Sequence, residues 1–242
     1  MYRELDPAHV IDTAAKLRRR VEERFPSSGL GRVAAELEGV TREAAALSEW
    51  MARPNWPLRG AVGLTVALLV VVLVALGLQV KVELKAGAWS DLVQGLEALI
   101  NDVVFFGIGI YFLVSLEVRQ KRRRALAALH VLRSLAHIVD MHQLTKDPER
   151  VLSGGPNTAS SPVRTMTPFE LVRYLDYSSE MLALISKVAG IYVQNFADPV
   201  TVDAASAVED LTVGLSRAIW QKIVILDRFM DPSTAEAIVR PN

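Results

Sequence analysis

Four side chains at helical spacing form the densest chemistry-bearing set in this chain: His130, Arg133, His137 and Asp140. Steps of three and four residues keep all four on one helix face. His137 and Asp140, one turn apart, have the spacing of two metal ligands on one helix. Asp176 and Glu180, also one turn apart, stand on a later helical segment. If the two helices face one another, those carboxylates are the natural partners of Arg133 and His137. Leu126, Met141 and Leu144 lie beside the seam, and Leu129, Leu132, Leu135, Ala136 and Val139 lie opposite, so the pattern predicts partial burial. A metal site, a ligand pocket and an ion-pair network fixing helix register are the three readings. The Glu-x-x-His pairs of di-metal bundles occur nowhere in the chain. Buried polar groups are usually paired with one another, which favours the network. No metal or cofactor is assigned.

Other chemical templates fail on residue type. With no cysteine, disulfides, thiolate nucleophiles and cysteine-zinc sites are excluded. Neither the phosphate-binding G-x-x-x-x-G-K spacing nor a G-x-S-x-G elbow nor an H-E-x-x-H helix is present. The residues therefore point away from an enzyme. The formal net charge is zero, and the basic run Lys121-Arg122-Arg123-Arg124 lacks further basic or aromatic clusters, so nucleic acid is not an expected partner. Arg18 to Arg20 alternate with Glu22 and Glu23 and read as a solvated face.

The elements that must position these residues include a run no soluble helix needs. Gly60 to Val80, GAVGLTVALLVVVLVALGLQV, is uncharged and spans roughly 30 Å at 1.5 Å per residue, matching a bilayer's hydrocarbon core. A second apolar segment, 98–116, contains Asn101 and Asp102 near its start and is followed by Glu117-Val-Arg-Gln-Lys-Arg-Arg-Arg, a stop-transfer pattern. Basic residues flank the outer ends of this pair, so the positive-inside rule places both termini in the cytoplasm. Within the connection 81–97, Trp89, Leu92, Val93 and Leu96 recur at helical spacing and suggest an interfacial helix. Asp102 is a charge inside a span. It reads either as an ion contact or, being near the outer end, as a side chain reaching headgroups. Lys121 to Arg124 sit where anionic lipid headgroups would lie.

The rest of the chain reads as cytosolic helices. Residues 1–57 form a helical pair, from Ala8 to Phe25 and from Leu30 to Arg53, with 58–80 the first span. Residues 117–144 continue the second span as an uninterrupted extension, and 145–166 form a loop dense in Gly, Pro, Ser and Thr. Residues 167–242 form a hairpin, opened by Thr167-Pro-Phe-Glu170 as a capping box and turned by Asp198-Pro199. One stripe is Leu171, Leu175, Leu182, Ile185, Ala189, Tyr192 and Phe196; another is Val208, Thr212, Leu215, Ile219, Ile223, Leu226 and Met230.

The expected class is an all-α membrane protein: a two-span hairpin with a cytosolic antiparallel helical bundle in the plasma (inner) membrane. The expected function is a membrane-anchored scaffold or regulatory module, self-associating as a homo-oligomer or recruiting a protein partner. Two alternatives stay open. One is an oligomeric channel ringed by Asp102. The other is a membrane enzyme or a metal or ligand sensor using the His137/Asp140 face.

Overall fold

A computed structural model describes residues 4–79, 89–146, 148, 158–161 and 166–230. Among them every regular element is a helix: α1 (Pro7–Arg24), α2 (Gly29–Ala52), α3 (Trp56–Gln79), α4 (Trp89–Val114), α5 (Leu116–Leu144), α6 (Pro168–Gln194) and α7 (Pro199–Met230). Two compact units contain them: Met1–Ala52 with Arg124–Asn242, and Arg53–Arg123.

The first unit is a helical bundle built around α6. Thr167 opens this helix with the expected reciprocal cap. Its Oγ1 accepts from the Glu170 N–H (3.2 Å), and Glu170 Oε2 accepts from the Thr167 N–H (2.8 Å). Thr167's backbone and hydroxyl, donating to it, hold the Glu170 carboxyl below its ordinary range. Thirteen of the 27 residues of α6 are buried, far more than one amphipathic stripe supplies. Helices α1 and α2 pack on it, and α7 returns along it after a turn of four residues in which Asp198 Oδ2 accepts from Thr201. The predicted stripe from Leu171 to Tyr192 is fully interior, while Met230 at the end of the α7 stripe is exposed.

Helices α1 and α2 meet through Val10, Ala14, Leu17 and Val21 against Leu30, Val33, Leu37 and Ala44. Asp6 caps α1 by accepting from the Ala8 N–H, and Pro7 follows at the first helical position. Ser27 turns the chain with φ of 58°, and Ser28 Oγ accepts from the Gly31 N–H to start α2. Gly29 cannot carry a side chain without displacing the His142 ring, which lies where its Cβ would be. Of the three arginines expected on a solvated face, Arg19 and Arg20 are exposed, and Arg18 and Arg20 also pair across helices. Arg18 Nε donates to Glu38 Oε2 at 2.6 Å, and Arg20 pairs with Glu180 of α6. Glu38 is buried and also takes Arg42, so two guanidiniums offset the cost of removing its charge from water.

The second unit holds α3 and α4, which pack on each other. Among the described residues one helix is long and apolar enough to cross a membrane, and none of its apolar window, in α3, is buried. The second expected span, 98–116, does not meet that measure alone. Its apolar stretch Val103–Val114 passes only when joined to α5. Nor is the extension uninterrupted, because a turn at Ser115 separates α4 from α5. The stretch expected as an interfacial helix is continuous with this segment, since α4 runs unbroken from Trp89. The predicted connection before Trp89, most of the 145–166 loop and residues 231–242 lie outside the described residues.

Ile185 has no exposed surface in the middle of α6, whereas Lys187 lies on its one outward stripe. Ile185→Ala is expected to destabilise the bundle by about 2–5 kcal/mol through the cavity it leaves, and Lys187→Ala by less than about 0.5 kcal/mol. Helical circular dichroism followed through denaturant unfolding measures both. Equal effects would contradict the central placement of α6.

Candidate functional site

The predicted polar seam does not come together. His130, Arg133 and His137 are all exposed on α5, and Asp140 is half-buried beside Gln143, whose side-chain amide donates to it. The reason lies in a competing period. Ala125, Leu129, Leu132, Ala136 and Val139 recur at four-three steps and are all interior, which turns the seam outward. The side chain that does enter the bundle from this end is Gln143, buried and accepting from Lys222 of α7.

The α6 carboxylates find other partners. Glu180 pairs with Arg20 of α1, Arg20 Nη1 lying 3.2 Å from Oε1. Asp176 takes Arg173 from its own helix at 3.4 Å. Partial burial pushes the Asp176 carboxyl up, and Glu180 and Asp227 add to that against the pull of Arg173. Among the described residues no cluster of three His, Asp or Glu is placed to hold a metal. Glu180 also borders an open groove of about 940 Å³ between α6 and the start of α1, with Leu5, Val10 and Leu184 as its apolar wall. Gln194 fixes that start by pairing with both the N–H and the C=O of Leu5. Asp102 lies in α4, and its side chain is outside the description.

The best-defined polar site lies at the base of the apolar unit, and its centre is Glu117. Arg59 Nε donates to Oε2 at 2.6 Å, Lys121 Nζ to Oε1 at 2.9 Å, and the Asn55 N–H to Oε1 at 3.2 Å. Lys121 also donates to the Arg53 carbonyl at 2.9 Å. The site thus ties the approach to α3, residues 53–59, to the first turns of α5. Arg59 above all, then Lys121 and the Asn55 N–H, hold the Glu117 carboxyl at about 2, far below its ordinary 4.5, in spite of its partial burial.

This geometry changes the predicted lipid set. Lys121 is buried and engaged on two sides, so it braces the site rather than reaching outward. Arg124 lies over the half-buried Trp50 ring, 4.4 Å from its centroid. Arg123 is exposed, and Arg122 is half-buried with a partner of its own. Arg119, one turn before, stacks on Phe112 at 4.4 Å. Sequence reasoning missed Glu117 as a centre. Its signal was a single acid at the head of a basic run, with Lys121 four residues on.

Fold and site together define an all-helical bundle in one chain with an apolar helix long enough to cross a membrane. No protein-family model, curated protein or solved structure matches the chain.

Because the folded Glu117 carboxyl titrates low, its contribution to stability is complete above about 4.5 and is lost as pH falls through about 2. A carboxyl carbon-13 titration is expected to place Glu117 near 2, and Arg59→Ala to move it upward. A Glu117 midpoint in the ordinary range would mean the clamp does not form.

Proposed function

We propose that this protein is a membrane-anchored helical scaffold that self-associates through its bundle, the outer faces of that bundle also being where a protein partner would dock. Helix α3 crosses the bilayer, α4 returns as the second span of a hairpin, and both termini lie on the cytoplasmic side of the plasma (inner) membrane. The observation that carries this reading is the surface of α3. Leu64, Leu68, Val70, Val71, Val72 and Val74 are exposed over more than half the circumference of a 24-residue helix. Water would charge roughly 25 cal/mol for each Å² of that apolar area, a cost that hydrocarbon removes. Trp56 at one end, 73% exposed, suits the headgroup level, as do Arg119 and Arg123 for anionic lipid.

Self-association is supported by the bundle surface. Trp220 is 58% exposed on α7, with Val213 and Val224 on the same face. Large exposed apolar groups gathered on one face mark interaction surfaces more than solvent contacts. Alkaline carbonate extraction is expected to leave the protein in the membrane pellet. Light scattering in mild detergent is expected to give a protein mass that is a multiple of 26.6 kDa. Release into the supernatant would sink the anchor, and a strictly monomeric mass would sink the self-association.

A further inference from the structure

Two helices of the bundle carry a second, outward stripe at coiled-coil spacing. On α5 it is Ala127, Val131, Ser134, Ile138 and Met141, all exposed and nearly opposite the interior stripe. On α7 it is Val202, Ser206, Glu209, Val213, Trp220 and Val224, also exposed. Their charged borders are of opposite sign. Arg133 flanks the α5 stripe, with His130 and His137 about one turn to either side. Asp203, Glu209 and Asp210 lie along the first half of the α7 stripe, and Arg217 stands in the second.

Direction and level also agree. The Tyr174 hydroxyl near the start of α6 donates to the His142 carbonyl near the end of α5, at 3.4 Å; at the other end Arg124 of α5 lies over Trp50 and Asn195, closing α6, donates to Ser48, so these helices run oppositely. Helix α7 returns along α6, and therefore runs with α5. Lys222 Nζ lies 3.2 Å from the Gln143 carbonyl oxygen, which sets residues 79 apart at one level on the two helices. In a second copy related by an axis along these helices, every residue keeps its level. His130 then meets the level of Glu209, and Arg133 that of Asp210 to Val213. Met141 meets the level of Trp220.

We propose that the α5 stripe of one copy docks on the α7 stripe of the next, a head-to-tail contact that closes into a ring. This rests on the self-association reading and names its surface. The apolar stripes supply the burial. The matched levels of basic and acidic residues select α7 over a second α5, whose Arg133 would face its own kind.

The chain has no cysteine, so engineered pairs are unambiguous. Met141→Cys and Trp220→Cys proteins, mixed in mild detergent and oxidised, are expected to give a cross-linked dimer, and neither alone to do so. Cross-linking within either single variant would show like-on-like contact and overturn the proposal. Arg133→Glu and Asp210→Arg are each expected to weaken association by about tenfold, and the two proteins mixed to recover most of it. Helical circular dichroism verifies that the exposed-site variants remain folded. Oligomers without the mixed cross-link and without charge rescue would refute this surface while leaving self-association standing. A monomeric parent protein would end both.

Discussion

The burial of α6 is the constraint on which the bundle depends. A helix with apolar groups on most of its circumference has to be surrounded, and α1, α2 and α7 do so. Fully burying one Leu or Ile contributes roughly 1.5–3 kcal/mol, so the interior residues of α6 outweigh any single polar contact in the molecule. What remains outward is one narrow stripe, Arg173, Asp176, Glu180, Ala183 and Lys187. Every charge on the helix is confined to it or to the capped first turn. This is why Glu180 meets Arg20 of α1 and Asp176 meets its own helix neighbour, and why neither reaches α5.

Two carboxylates drawn out of water by helix packing share one solution. Glu38 between α1 and α2 is met by Arg18 and Arg42; Glu117 at the base of the apolar unit is met by Arg59 and Lys121. In each case one cation comes from four residues along the same helix and the other from a different helix. The neighbour on the same helix needs no tertiary ordering, so it partly neutralises the charge before the second cation arrives. The second cation fixes how the helices meet. Such pairs contribute less net stability than the apolar core, and their geometry specifies register.

Much of the fold was legible locally. Asp6-Pro7, Thr167-Pro-Phe-Glu170 and Asp198-Pro199 each mark a helix start, because an oxygen and an imide at those positions satisfy or remove the first orphan N–H groups. The interior stripes of α6 and α7 followed from spacing, because residues three and four apart share a helix face. The failure on α5 is equally physical. That helix carries apolar residues on two faces, so periodicity alone admits two orientations and predicts only partial burial for the polar seam between them. Only contact with other helices selects one. The burial of Lys121 is hidden from the sequence on similar grounds, since the Arg53 carbonyl it bonds comes from a segment 68 residues away.

By itself the sequence determined the helical class, the helix starts, the apolar length of α3 and the absence of thiol chemistry. These depend on neighbouring residues or on composition, and no distant contact alters them. The tertiary structure decided which face of α5 is buried, which carboxylate each arginine meets, and that Glu117 rather than the His137/Asp140 pair is the organised polar centre. Those outcomes rest on partners many residues apart: Arg59 with Glu117, Arg20 with Glu180, Lys222 with Gln143. An ion pair or a buried face belongs to two segments at once, and no window along one of them contains it.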